Sequence, residues 1–573
     1  MKIPAFNGIS MQIYSAFFEH TFEKYKKNAI YQFLYKNYAK AREIFVKSNN
    51  RSKKSPYLCL CFGISFAIKR IVKPKTQVKA TILYGFGKQF CHWVYLTSCL
   101  AQFLVSIVRW ITSLEEQTKE QETEMIKDIL EKQAAFFKSG ATLDLGRRKK
   151  MLRLLADAMH QYEKELTDAL WQDLHKSYEE AYLTELSIVY GEIRNHTRHI
   201  NAWAKAERKS SPLAILPASS KIVKEPLGNA LIIAPWNYPV QLLLNPLVGA
   251  ISAGCTAMLK PSPYVPNVSR VLTKMIRNTF AEEYIAIVEG NREVNQLLLA
   301  EKWDIIFFTG SPALGKMVME AAAKNLTPVV LELGGKSPCI IDQDANLPVA
   351  AKRVAWGKAL NAGQTCIAPD YLMIHEKVKD RFLKLLVKEW RKLLTKNPEK
   401  AKHFVRVVNN KALERLIGYL KDGTIYHGGD YDQEERYLAP TILTDVDPDS
   451  AVMQEEIFGP IFPVISFKRL DEVIEFVNDR PKPLALYYFG KEDEKIIRHT
   501  SSGGTCINDV IMHIVNHKVP FGGVGNSGMG AYHGKDSFLA FSHRRAVIKT
   551  PTWIDMPFRY MPYKLFKWIK NMV

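Results

Sequence analysis

The chain has 573 residues, room for roughly three to four domains at about 150 residues each. Apolar residues make up 47% and charged residues 24%, an ordinary globular balance that excludes wholesale disorder and a polytopic membrane protein. The formal charge of +21 is uneven: residues 1–114 hold 18 Lys/Arg against 3 Asp/Glu, a net +15, which leaves +6 for 115–573. Basicity confined to a leader suits an acidic membrane surface or a targeting segment better than a groove for nucleic acid.

Within the leader, residues 1–54 are rich in Lys, Tyr and Phe and match neither a mitochondrial presequence nor a signal peptide. From Gln89 to Val108 there are 20 consecutive residues without Lys, Arg, Asp or Glu, about the length that spans a bilayer. Phe90, Trp93, Val94, Leu100, Phe103, Leu104, Ile107 and Ile111 form one helical stripe, with His92, Gln102, Ser106 and Arg109 as a narrow polar stripe beside it. That pattern favours a helix lying in the membrane interface over a span, with a soluble amphipathic helix as the plain alternative. The eight cysteines show no C-x-x-C pair and no metal-ligand spacing, so free thiols in a reducing compartment are expected, and no metal site.

Residues 115–210 read as helices: EMIKDILEKQAAFFKSG, then RRKKMLRLLADAMHQYEKELTDALWQDL as one run, then an amphipathic run to about Trp203. From 220 the texture changes. Short apolar runs at 230–235, 255–260, 284–288, 304–309 and 328–333 alternate with helical stretches such as 265–280 and 312–325. Strand–helix–strand repetition with fully apolar strands predicts a parallel, doubly wound α/β sheet. Residues 333–540 continue as a second α/β domain.

Four motifs carry chemistry. Strand DIIFFT runs into Gly310-Ser311-Pro312, with Gly315 in the following helix. Such a turn lets backbone approach a phosphate at a helix N-terminus, and is equally readable as a structural turn. Glu332, in LELGGKS, closes the fifth apolar run at the carboxyl end of a parallel strand, where open α/β sheets bind ligands. Cys366, in NAGQTCIAP, sits in a loop flanked by Gly, Thr and Pro; a buried small hydrophobe is the alternative reading. Asn237, in APWNYP, offers a neutral amide donor suited to an oxyanion.

Together these motifs resemble the aldehyde dehydrogenase superfamily, most closely the class 3 branch that includes fatty aldehyde dehydrogenases. The resemblance runs over about residues 125–548 and includes AAAKNLTPVVLELGGKSPC, AGQTCIAPDY, VMQEEIFGPI and PFGGVGNSGMGAYHGK; residues 559–564, RYMPYK, resemble the class 3 tail. It implies Cys366 as nucleophile, Glu332 as general base, and Asn237 with the backbone N–H of Cys366 as oxyanion hole. It also implies that Lys260 and Glu456 hold the two riboses of NAD, that Gly310, Ser311 and Gly315 line the pyrophosphate turn, and that Phe458 packs near the nicotinamide.

One departure stands out, for Lys260-Pro261-Ser262 is followed by Pro263 where the family carries glutamate. NADP is therefore a candidate cofactor beside NAD. The implied fold is a Rossmann-like dinucleotide domain over 115–332, a catalytic α/β domain with a dimerising β-arm over 333–548, and a tail over 549–573, following the leader 1–114. The implied activity is oxidation of medium- to long-chain fatty aldehydes by a homodimer. Its expected place is a membrane facing the cytosol, of the endoplasmic reticulum or another organelle, or the cytoplasm without the leader. An NAD-independent thiol esterase and a silent membrane-bound scaffold are the alternatives.

Overall fold

The computed structural model describes residues 117 and 119–555, with a few further positions up to 570. The basic leader and the stripe from Phe90 to Ile111 lie outside the described residues. Among those described, no helix is long and apolar enough to cross a membrane.

The chain enters through helices. The helix over 119–138 buries Ile126 and Ile129 and donates from Gln133 Nε2 to the carbonyls of Ala257 (2.9 Å) and Glu282 (3.2 Å), which docks it on the sheet. The long run read as one helix is two. Leu145–Gln161 starts at an Asp144 cap and Glu163–Leu174 follows, with the buried Tyr162 between them leaving helical geometry (φ −98°, ψ 6°). Tyr162 accepts a hydrogen bond from Asn278 at its hydroxyl (2.8 Å), so a tertiary contact accompanies the break. Tyr178–Ala181 then passes through a π-helical turn, Tyr182–Leu186, into the helix Ser187–Ala204.

All five apolar runs are strands of one sheet: Asn229–Ile233, Thr256–Lys260, Ile285–Ile287, Ile305–Thr309 and Val329–Glu332. All five are parallel, and Asn229–Ile233 has Thr256–Lys260 on one side and Ile305–Thr309 on the other. Helices cover the sheet, among them Gln241–Ala253, in which every residue is buried, and Pro266–Thr279 and Pro312–Ala323. The chain winds outward in both directions from Asn229–Ile233, so the crevice beside its carboxyl end is a topological switch point.

The second sheet runs in the order Thr424–His427, Thr441–Thr444, Ile461–Phe467, Tyr371–His375, Pro338–Ile341, Ala485–Phe489, Gly504–Ile507. It is parallel except for its first pair. A boundary at 332/333 therefore falls between strands of different sheets.

The range 333–548 does not map onto one sheet, however. Gly528–Met529 pairs antiparallel with Val329–Glu332, and Ser542–Lys549 pairs along its whole length with Ser219–Pro226, which also carries Glu207–Lys209. Both returns are made by backbone groups, which leave little trace in side-chain pattern. One apolar cluster joins the two large sheets, with Leu259 and Phe307 from the first and Leu372 and Tyr487 from the second. Packed interiors of this kind resist local displacement, which suits a site built between the sheets.

Candidate active site

The carboxyl end of Val329–Glu332 is held on both edges. Glu332 lies opposite Thr309 on one side and Gly528 on the other, and its carbonyl accepts from Gly310 N–H (3.0 Å). Leu333 N–H donates to the Ser527 carbonyl (3.0 Å). Its carboxyl enters a cavity of about 970 Å³ between the sheets. It is 3% exposed and neither oxygen has a hydrogen-bond partner among the described residues. Burial alone pushes this carboxyl well above the usual carboxylate range.

Cys366 reaches the same cavity from a strained turn. Asn361 and Ala362 both sit in the left-handed region (φ 50° and 51°), and Gly363 (φ 72°) has no room for a Cβ, which would strike the Gly459 carbonyl. Gln364, wholly buried, fastens the turn: Nε2 donates to the carbonyls of Asn361 (3.1 Å) and Arg406 (3.0 Å), while Oε1 accepts from Val408 N–H (3.0 Å). Thr365 Oγ1 and the Tyr238 hydroxyl share a bond of 2.7 Å. The Cys366 thiol is half-buried, and desolvation first, then the carboxyls of Glu456 and Glu332, push it up.

Asn237 is 2% exposed, and its side-chain Nδ2 donates to the Gln364 carbonyl (3.0 Å), which orients the amide beside the Cys366 turn. Glu456 has one carboxylate oxygen without a partner, and its carboxyl is pushed up to about 8, chiefly by burial, with Asp370 adding to it. Phe458 (φ 50°) meets Trp236 edge-on at 5.4 Å between ring centroids.

Seven of the nine residues singled out in the sequence line this cavity: Asn237, Gly310, Ser311, Glu332, Cys366, Glu456 and Phe458. The other two do not. Gly315 lies beneath it, where a Cβ would sit 2.6 Å from Leu333 Cδ2. Lys260, buried at the end of Thr256–Lys260, donates to the carbonyls of Pro261 (2.9 Å) and Gly290 (2.7 Å), and burial pulls its ammonium down to about 8. Pro263 is exposed in the following loop.

Several groups escaped the sequence reading. Lys336 and Arg415 line the cavity, but their cationic ends are bonded to protein oxygens, Lys336 Nζ to Asp370 Oδ1 (2.5 Å) and Arg415 Nη2 to the Ile457 carbonyl (2.8 Å). Tyr532 is buried with an unpartnered hydroxyl. No local signal marks any of them.

The cavity also fits a dinucleotide on its own geometry. Ser311 caps the helix Pro312–Ala323, whose free N–H end opens into the cavity. A Cβ at Gly310 would sit 2.6 Å from Phe308 Cζ, and one at Gly334 would strike the Glu456 carboxylate, so backbone alone walls this side. The orphaned oxygen of Glu456 is an acceptor suited to a hydroxyl donor.

The electrostatics make a measurable statement about the thiol. Because burial and two carboxyls oppose the thiolate, alkylation of Cys366 by iodoacetamide should rise only on the alkaline side of the ordinary thiol pKa of about 8.5. Glu456→Gln removes an opposing charge and should move that rise to lower pH. Peptide mapping of the alkylated cysteine across a pH series checks it; an unmoved profile would separate Glu456 from the thiol.

Comparison with known proteins agrees with this geometry. A family model described as the aldehyde dehydrogenase family matches residues 111–547. The 4,4'-diaponeurosporen-aldehyde dehydrogenase of Staphylococcus aureus is 46% identical over 442 residues, 76% of this chain and 96% of that protein. Aldehyde dehydrogenase family 3 member A2 of Mus musculus is 46% identical over 412 residues, 71% and 85% of the two chains. A dimeric NADP-preferring aldehyde dehydrogenase of Canis lupus familiaris is 41% identical over 442 residues, 76% and 98%. A solved structure described as the substrate-bound state of Staphylococcus aureus AldH superposes with a TM-score of 0.77 at 45% identity, covering 78% of this chain and 99% of that one. The chain belongs to the aldehyde dehydrogenase family, alongside its family 3 members, and is an aldehyde dehydrogenase, an oxidoreductase of a family that uses NAD(P).

Proposed function

We propose that Cys366 is the nucleophile, Glu332 the general base, and Asn237 with the Cys366 backbone N–H the oxyanion hole for the oxidation of apolar aldehydes to carboxylic acids. The observation that carries this reading is the meeting in one cavity of a thiol, an unpartnered buried carboxyl and an amide already oriented by Gln364. Cys366 Sγ adds to the aldehyde carbon, and the oxygen that gains charge is met by fixed donors rather than by water. When bound, the dinucleotide supplies the hydride acceptor that no side chain offers. Within the cavity Glu456 would hold one of its riboses, Gly310 and Ser311 its pyrophosphate, and Phe458 its nicotinamide; Lys260 and Gly315, which the resemblance assigns to the other ribose and the pyrophosphate turn, lie outside the cavity lining. The acyl group left on Cys366 is released by a water whose proton Glu332 takes, a task suited to a carboxyl that burial raises above the usual carboxylate range.

The substrate class in this reading is medium- to long-chain fatty aldehydes, supported by the resemblance to the class 3 branch and by the apolar stripe of the leader. The diaponeurosporen-aldehyde relative shows that other aldehydes are served within the same similarity range. The arm built from Ser219–Pro226 and Ser542–Lys549 supports a homodimer: Ile548 is 58% exposed on it, and one relative is described as dimeric. The division 1–114, 115–332, 333–548 and 549–573 belongs to the same proposal, with the leader carrying the enzyme to a membrane that faces the cytosol.

Cys366→Ala should abolish aldehyde oxidation while dinucleotide binding, read by fluorescence, persists. Glu332→Gln, nearly isosteric, should slow turnover by about 10²–10⁴-fold and let an acylated Cys366 accumulate, visible by mass spectrometry. Absence of that adduct removes Glu332 from deacylation.

Cofactor choice turns on Pro263, which has neither the acceptor nor the charge of a glutamate. Losing a hydrogen bond to a charged group costs about 1.5–3 kcal/mol, or about 10–150-fold in NAD affinity, while a 2′-phosphate no longer meets a carboxylate. NADP should therefore support turnover beside NAD. Pro263→Glu should move the ratio of kcat/KM toward NAD; an unchanged ratio places Pro263 away from the ribose.

Deleting residues 1–114 should release an active protein from membranes, since basic residues near anionic lipid contribute about 1 kcal/mol each. Sedimentation with anionic vesicles, unchanged by the deletion, would exclude the leader as anchor.

A further inference from the structure

The two turns that carry Asn237 and Cys366 lie far apart in the chain, yet both are tied to charged side chains of one short segment, 176–185. Lys176 and Glu185 are wholly buried, with Nζ 2.7 Å from Glu185 Oε1. Lys176 Nζ also donates to the Asn237 carbonyl (3.1 Å) and lies 4.3 Å above the centre of the Tyr238 ring. The other oxygen of Glu185 accepts from Val240 N–H (2.8 Å), at the start of the fully buried helix. The turn 237–240 is thus held at its carbonyl, its ring and its amide by one ion pair.

The Cys366 turn is held by the same element. Glu180 Oε1 accepts from Asn361 N–H (2.9 Å), and Asn361 Nδ2 donates to the carbonyls of Asn237 (3.1 Å) and Gln364 (3.0 Å). Glu180 and Glu185 are five residues apart, about 140° around an α-helix. The π-helical turn Tyr182–Leu186 between them adds a residue to the turn and brings such positions toward one face. A buried ion pair seldom adds net stability over an apolar pair of the same volume. Stability alone therefore gives little reason for its presence, whereas the geometry it imposes on two turns does.

We propose that Lys176, Glu185 and Glu180 are positioning residues for the reaction, holding the Asn237 amide and the Cys366 turn in register with one another. The proposal rests on the roles of Cys366 and Asn237 given above. None of the three lines the cavity, so each acts through the turns it holds.

The test uses hydrolysis of a p-nitrophenyl ester, which needs the thiol and its oxyanion donors without a dinucleotide, together with aldehyde oxidation and melting temperature on the full chain. The double variant Lys176→Met/Glu185→Gln removes both charges at nearly constant volume. Its ester kcat should fall by about 10²-fold, the loss a misplacement of about 1 Å produces, with KM and dinucleotide affinity unchanged. Glu180 is half-buried, so its variants test the same idea with less risk to folding. Glu180→Ala should lose about tenfold in kcat, within the range expected for misplacement, and Glu180→Gln, which keeps an acceptor for Asn361 N–H, should recover most of it. Wild-type kcat in Glu180→Ala, or in a folded double variant, overturns the proposal. Survival of both ester and aldehyde activities in Cys366→Ala overturns instead the reading on which it rests, and the proposal with it.

Discussion

Strand Val329–Glu332 has a paired neighbour on each side, and the placement of the reactive groups follows from that. Because Ile305–Thr309 and Gly528–Met529 saturate both edges, the strand cannot shift register without breaking two ladders. Glu332, its last residue, is thereby presented to the cavity with no polar partner, and the strand end carries the Gly310 turn along with it through a backbone hydrogen bond. Thiol, amide and aromatic wall then have a fixed point to be arranged around.

This arrangement costs stability locally. A buried polar group left without any partner forfeits about 1–3 kcal/mol, and no protein group among the described residues pairs with either carboxylate oxygen of Glu332 or with one of Glu456. Consecutive left-handed residues at Asn361 and Ala362 add backbone strain. The apolar cluster that joins both sheets offsets these costs, at about 1.5–3 kcal/mol for each large side chain buried. The same burial raises the carboxyl and thiol pKa values, so the cost and the chemistry have one origin.

Backbone forms part of the cavity wall. Gly310 and Gly334 leave no room for a Cβ, one against Phe308 and the other against Glu456. That explains glycine at these two positions by contact distance, beyond any turn they form. Two of the cations along the cavity, Lys336 and Arg415, bond to protein oxygens and so brace its walls.

The sequence by itself determined the five parallel strands, because residues buried on both faces must be largely apolar, as 230–233 and 305–308 are. Motifs that resemble a known family also marked seven residues that meet in the cavity, whereas Lys260 and Gly315, marked the same way, do not line it. Tertiary structure alone decided the rest. The break at Tyr162 interrupts a stretch whose helical periodicity runs on unbroken. Gly528–Met529 and Ser542–Lys549 return to strands some two or three hundred residues earlier through amides that every residue possesses. The ties from Lys176, Glu180 and Glu185 to Asn237, Val240 and Asn361 join groups far apart in the chain, and a lone buried lysine reads in sequence like any solvated one. Local pattern records what each residue must be; only the folded chain records which distant backbone group each one meets.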